Sequence, residues 1–319
     1  MGSTQQPRFD QLDDFWEWRL QKALPIYAAP VIVTVGSIFN TLTITVLLGR
    51  KFGKSSTRIL LISLSVIDTI VLLTYAHVWI ETVFGLTLWM VSAAFCPIHY
   101  FSTYLFTHLS SWSVMLLTVE RMISVSFPLR ARLICTRKST CVVLIVVTTF
   151  LFSLNVPLLF MFRIENGECP YPSVYFWNII WQWIDTLVFS GIPAFVIIAC
   201  NCSILYKVVK RQRKRKHLQN QGTAQDDQSA QLTSMTKMLT TVSVMFLLLT
   251  LPMTIFGVTF GKMRASLSLR QFAAMSLMRS VARLLASINN AINFLLYCLS
   301  GTQFRREVYR MLRGIKATG

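Results

Sequence analysis

Charge is scarce in this sequence. Asp, Glu, Lys and Arg make up 14% of 319 residues, where a soluble domain carries about 25%. Acids are scarcer still, 13 against 31 Lys and Arg, so the formal net charge is +18. With 54% hydrophobic residues, the composition excludes a disordered chain, a collagen repeat and a disulfide scaffold, and it does not suit a single soluble globule. A basic excess can mark a nucleic-acid binder, but such proteins carry it on a polar surface. Here the basic residues lie between long apolar runs, so no nucleic-acid partner is expected.

Other absences narrow the reading further. Met1–Leu24 carries Asp10, Asp13, Asp14 and Glu17 and no long apolar run, so it is not a cleavable signal, and the first apolar segment is expected to direct its own insertion. Gln6 stands where myristoylation needs Ser or Thr. The seven cysteines show no zinc spacing, and no nucleophile constellation appears, so no enzyme is expected. The apolar runs do not alternate as barrel strands do. The two halves show no repeat of the kind common in transporters, which leaves a transporter as a weaker alternative. The outer segments hold no acceptable glycosylation sequon, and Asn201-Cys202-Ser203 falls inside an apolar run.

What is present is a set of seven apolar segments: Ile26–Leu48, Ile59–Ile80, Ala93–Phe127, Cys141–Phe162, Asn178–Tyr206, Met235–Phe260 and Phe272–Leu299. Each is long enough to cross a bilayer as a helix, which takes about 20 residues. Pro30, Pro157, Pro193 and Pro252 are tolerated in membrane helices because neighbours satisfy the freed carbonyls. The fold class is all-α: a seven-transmembrane helix bundle. After it, Thr302–Leu312 sets Phe304, Val308, Met311 and Leu312 against Arg305, Arg306 and Arg310, the pattern of a short amphipathic eighth helix on the cytoplasmic surface. The expected organisation is an extracellular N-terminus over 1–25, a seven-span domain over 26–299, and a surface helix with a short tail over 300–319.

With the N-terminus outside, the inner segments and tail hold 21 Lys and Arg against 7 in the outer segments. The positive-inside rule then places the C-terminus in the cytoplasm. The third inner loop, about 207–234, combines the basic run Lys207–Lys216 with the Gln-rich stretch Gln219–Gln231, which is expected to be disordered. The basic run suits contact with anionic lipid and, compatibly, docking of a cytoplasmic partner.

Ionisable residues within a span are functional candidates by default. They are Asp68 in the second span; His99, His108, Glu120 and Arg121 in the third; Asp185 in the fifth; and Arg279 and Arg283, four apart on one face of the seventh. His77 joins them, with Asn40, Asn289, Asn290 and Asn293 as polar groups at helix depth. Cys96 and Cys169 both face the outer, oxidising side, where a disulfide persists; two free thiols are the alternative.

The order of these residues resembles the rhodopsin-like family of G-protein-coupled receptors from Gly36 to Arg313. Gly36 and Asn40 resemble its first-helix pair, and Leu64-Ser65-Val66-Ile67-Asp68 its second-helix motif. Trp89 precedes Cys96, Glu120-Arg121-Met122 stands where Asp-Arg-Tyr is usual, and Pro128-Leu129, Pro193 and Pro252 keep their places. Asn293-Phe294-Leu295-Leu296-Tyr297 replaces Asn-Pro-x-x-Tyr, and Phe304-Arg305 opens the surface helix. The run Ile288–Gly301 is similar to invertebrate peptide receptors of the FMRFamide-like group. The chain departs from the family by lacking a fourth-helix tryptophan and by Asn201, Thr250 and Phe294 in place of tyrosine, tryptophan and proline.

The resemblance implies a multi-pass plasma-membrane receptor that binds an extracellular ligand and activates a heterotrimeric G protein. Thr103 stands where amine receptors carry aspartate, and the seventh span has no lysine for retinal. The outer cavity is then expected to hold Glu81 and Asp185 for a basic group, Arg279 and Arg283 for a carboxylate, and aromatic surface from Trp79, His99, Tyr100, Tyr104, Trp181 and Trp183. A short neuropeptide is the expected ligand; a small acidic or lipid-like ligand is the alternative, and Asp185 could instead pair with one of the arginines. Asp68, Ser110, Asn289 and Asn293 resemble the family's allosteric sodium pocket. Glu120 is expected to restrain Arg121 with no acidic partner from the sixth helix, which implies basal signalling. Leu129 is the expected knob into the G protein, and Tyr297 lacks its usual tyrosine partner at Asn201. Arrestin control, if present, falls to Thr223, Ser229, Thr233 and Ser234.

Overall fold

A computed structural model describes residues 9–49, 55–87, 91–165, 169, 176–217, 225–263 and 268–317. Trp89, Arg50, Lys51, Lys54 and the whole Gln219–Ala224 stretch with Thr223 lie outside these residues, as do the side chains of Ser229, Thr233 and Ser234. Nearly every described residue is helical. The bundle end that carries Cys96 and Cys169 is termed outer below, and the end that carries Glu120 and Arg121 inner.

The first span is α1 (Trp16–Leu48), preceded by a 3₁₀ turn at Phe9–Asp14. At 33 residues it is about 50 Å long, well beyond the hydrocarbon core of about 30 Å. It starts inside the stretch expected as a free N-terminus, because its overhang has packing partners. The second span is α2 (Ser56–Phe84), N-capped by Ser55, whose hydroxyl accepts from the Arg58 amide at 3.3 Å, and closed by Gly85 at φ 65°. The third is α3 (Phe95–Ser126), followed by α4 (Pro128–Ile134) along the inner rim. The fourth is α5 (Arg137–Asn155) with α6 (Pro157–Met161), broken where Pro157 cannot donate to the helix ladder.

The fifth span is irregular. A π-helix at Phe176–Trp181 leads into α7 (Gln182–Thr186), a π turn at Leu187–Gly191 and α8 (Ile192–His217). The sixth is α9 (Gln225–Met263), with Pro252 inside it. The seventh is α10 (Leu269–Ala291), opened by a Ser268/Gln271 capping box, and α11 (Asn293–Ser300), bent from it by 56°. The surface helix α12 (Thr302–Ala317) follows. Because α8 continues to His217 and α9 begins at Gln225, the disorder expected up to Gln231 is corrected: residues 225–231 are helical. Lys, Arg and Gln are good helix formers, and both stretches continue a helix already nucleated in the bundle.

Among the described residues, five stretches are long and apolar enough to cross a membrane, Trp16–Leu48, Ser56–Phe84, Arg137–Met161, Gln182–Lys210 and Met235–Gly257, and the bent α10–α11 pair makes a sixth. Helix α3 has the length, but its polar residues lower its hydropathy. They face inward: His108, Ser110, Ser111, Ser113, Thr118, Glu120 and Arg121 are all buried. Val142, Ile145, Val146 and Phe150 on α5 are exposed, as are Phe195 and Ile198 on α8. Apolar outside with polar inside is the pattern of a bundle solvated by lipid. Helices approach closely at Gly36, where a Cβ would lie 2.6 Å from Leu72 and 2.7 Å from Ala291. The largest core cluster, around Leu47, Leu61, Leu64, Phe246, Tyr297 and Phe304, fills the inner half and seats α12 against the bundle.

Candidate functional site

The polar groups gather in three layers. In the outer layer, Cys96 at the start of α3 is disulfide-bonded to Cys169. This settles the alternative left open by the sequence. Beneath it, His77 and His99 lie with ring centroids 4.5 Å apart, Tyr100 stacks on Phe162 at 4.0 Å, and Tyr104 meets Trp181 edge-on at 5.5 Å. The Thr103 hydroxyl donates to the His99 carbonyl of its own helix at 2.8 Å. Trp79 turns away, its indole donating to the Ile26 carbonyl at 2.9 Å, and Trp183 is exposed on the bundle surface.

Asp185 pairs with neither arginine. Its Oδ1 lies 3.0 Å from Nε2 of His108, a fully buried α3 residue. The sequence hid this pairing, because the π turns in the fifth span shift which residues meet α3. Arg279 and Arg283 are half-buried on α10. Arg283 lines a cavity of about 30 Å³ with Leu24, Pro25, Tyr75, Val78, Ser280 and Leu284. Glu81 is half-buried near the outer end of α2. The mixed-charge set is thus divided, with Asp185 at the α3 side and Arg283 facing α1 and α2.

In the middle layer, Asp68 is fully buried. Its Oδ1 accepts from the Ser110 hydroxyl at 2.6 Å and its Oδ2 from the Asn293 amide at 2.7 Å. Ser110 Oγ also lies 3.2 Å from Asn290 Oδ1, and Asn40 donates to the Asn290 carbonyl at 3.1 Å. Asn289 is buried but forms no hydrogen bond to Asp68; its neighbour Asn290 joins the cluster instead. The two share a helix and point about 100° apart, so spacing alone could not choose between them.

In the inner layer, Glu120 Oε1 accepts from Ser56 Oγ at 2.7 Å and from Thr57 Oγ1 at 2.6 Å. Arg121 Nη2 donates to the same Thr57 hydroxyl at 3.1 Å. Glu120 and Arg121 share no direct hydrogen bond. Adjacent residues on a helix do not face each other, and Thr57 links them instead. Asn201 bonds Ser243 across α8 and α9 at 2.9 Å, while Tyr297 is buried against Phe304, ring centroids 5.4 Å apart. Pro128 opens α4, and Leu129 beside it is 80% exposed on the inner rim. Burial first, and then the Glu120 carboxylate, raise the Cys135 thiol above its ordinary range, with Arg121 opposing them.

Seven spans around such a polar axis, pinned by one outer disulfide and joined inside by Glu120 and Arg121 through Thr57, define a helical membrane receptor. The chain belongs to the 7 transmembrane receptor (rhodopsin family), which it matches over residues 39–297. That family consists of multi-pass signalling receptors and not of enzymes. Among curated relatives, Neuropeptide receptor 15 of Caenorhabditis elegans is 31% identical over 118 residues, 36% of this chain and 34% of that receptor. The FMRFamide receptor of Drosophila melanogaster is 25% identical over 301 residues, 86% of this chain and 51% of that receptor. The human growth hormone secretagogue receptor type 1 is 24% identical over 295 residues, 88% of this chain and 78% of that receptor. The chain spans 34% and 51% of the first two relatives' lengths.

Proposed function

We propose that the protein receives a short extracellular peptide in its outer layer and passes the signal to a heterotrimeric G protein at its inner end. The observation that carries this reading is the divided charge of the outer layer: Asp185 on one side and Arg283 on the other suit a ligand with both signs of charge along its length. Peptide-receptor relatives agree with it. The exposed Leu129 and the basic residues Lys207, Lys210, Arg305, Arg306 and Arg310 offer the G protein an apolar knob within a cationic rim and also suit anionic lipid. Arrestin would act at the hydroxyls between α8 and the middle of α9. The N-terminus lies outside at the plasma membrane and the C-terminus in the cytoplasm, supported by the 21 to 7 asymmetry of basic residues.

A sodium ion fits the middle layer in part. Asp68 Oδ1 and Asn290 Oδ1 lie 2.6 and 3.2 Å from Ser110 Oγ, whereas Asn293 turns its amide N–H toward Asp68 and would not be a ligand. Those three oxygens would hold the cation, which would neutralise the buried carboxylate.

The test is GTPγS binding in membranes that express the chain, challenged with a library of amidated peptides, beside substrate flux in vesicles. Peptide-dependent nucleotide exchange is expected. Exchange driven only by small carboxylates or lipids would replace the peptide reading, and flux without exchange would make the chain a transporter.

A further inference from the structure

His108, Asn155 and Asp185 come from three different spans and form one continuous hydrogen-bonded chain. Asn155 Nδ2 donates to the Leu151 carbonyl at 2.7 Å, which fixes the amide with its nitrogen turned inward. The same nitrogen lies 3.2 Å from His108 Nδ1. An amide nitrogen only donates, so Nδ1 must accept, and the ring proton is assigned to Nε2. Nε2–H then donates to Asp185 Oδ1 at 3.0 Å. His108 and Asn155 are fully buried, whereas the Asp185 side chain keeps 23% exposure.

Helix spacing puts Asp185 on the side of the fifth span away from its bundle-surface residues. On the fifth span, Trp183 and Leu187 are exposed on the outer surface. Gln182 and Thr186, on the opposite face, meet α9 at Gly257. Asp185 lies between that face and α3, bonded to His108, whose ring is 6.2 Å from that of Tyr104; Tyr104 in turn meets Trp181 edge-on at 5.5 Å. The position of Asp185 is fixed twice over. One turn inward, the π turn frees the carbonyls of Val188 and Phe189; Trp112 donates to the first at 2.9 Å and Ser111 to the second. Residues 108, 111 and 112 lie on one face of α3, so three donors hold the fifth span in one register.

We infer that Asp185 is the receptor's subsite for a cationic group of the ligand, a guanidinium or ammonium, with His108 as the positioning residue whose tautomer Asn155 sets. This rests on the peptide-receptor reading and deepens it. A carboxylate within a span is costly unless paired, and a neutral imidazole N–H satisfies one oxygen while leaving the charge uncompensated. An incoming cation supplies the missing charge at the second oxygen.

The experiment uses the purified full chain in lipid nanodiscs and two fragments of equal shape, arginine amide and citrulline amide. Arginine amide is expected to protect the wild type against thermal unfolding with an apparent affinity about tenfold better than citrulline amide, the order set by one charge-assisted hydrogen bond. Asp185→Asn should erase that difference, Asp185→Glu should restore part of it, and His108→Gln should weaken it. Histidine ¹⁵N spectra, assigned by His108→Gln, should show Nδ1 bare and Nε2 protonated at about pH 7, the assignment made from the donor geometry. No preference for the charged fragment in the wild type, a preference that survives Asp185→Asn, or the opposite tautomer would each overturn the inference. A merely structural staple would lose stability in Asp185→Asn with no charge preference to lose. If peptides drive nucleotide exchange equally well with their basic groups neutralised, the receptor reading stands and the subsite falls. If arginine amide binds at Asp185 but no peptide drives exchange, the subsite stands and the peptide reading falls.

Discussion

At the scale of single residues, the inner and middle layers turn on hydroxyls more than on charges. Thr57 donates to Glu120 and accepts from Arg121, so its one oxygen couples the two. Thr57→Val keeps the shape and removes both bonds. A hydrogen bond to a charged group contributes about 1.5–3 kcal/mol, and a two-state equilibrium shifts by what each state loses. Basal GTP exchange should therefore rise about tenfold; a basal rate equal to wild type would show that Thr57 does not hold the inner end closed. Asp68→Asn tests the middle layer. The wild type should melt at higher temperature in NaCl than in KCl of equal strength, and the variant should lose that difference. A sodium effect that persists in the variant would place the ion elsewhere.

At the scale of elements, close packing and helix irregularity matter most. Gly36 lets α1, α2 and α10 meet where a Cβ would lie 2.6 Å from Leu72 and 2.7 Å from Ala291. Gly36→Leu should destabilise the bundle by about 1–3 kcal/mol, the usual cost of overpacking. Thermal unfolding in detergent measures it, and an unchanged midpoint would mean the helices can separate freely there. These elements also mark the limits of what the sequence revealed. Length and hydropathy located every span, because about 20 apolar residues is a demanding signal. The outward start of α1 was missed because Glu17, Arg19, Gln21 and Lys22 look like a soluble tail; they become helical because Trp18 meets Phe272 at 6.0 Å and Gln21 bonds Ser280 at 3.0 Å. The His108–Asp185 pair was missed because π turns change side-chain register without changing composition. That Asn290 rather than Asn289 meets Ser110 has a different origin: adjacent like residues on a regular helix differ in direction, not in chemistry.

At the scale of the whole molecule, the charge asymmetry is the feature with the widest consequence. If the 21 inner basic residues set the orientation, an epitope before Phe9 should be accessible to antibody on intact cells and one after Ala317 only after permeabilisation. The reverse pattern would invert every assignment of ligand and G-protein faces.

The overhang of α1 has a mechanical consequence. Leu12 is fully buried, Glu17 is buried and approaches Arg270 at 3.7 Å, and Trp18 and Gln21 grip the same helix α10 further along. The N-terminal segment and the outer half of α10 are therefore joined at several points, while α10 itself turns by 56° into α11 at Ile292. A displacement of this segment would therefore act on the outer half of α10 through side chains as well as on α1 through the backbone, and α10 would carry it to the bend at Ile292, next to Asn293.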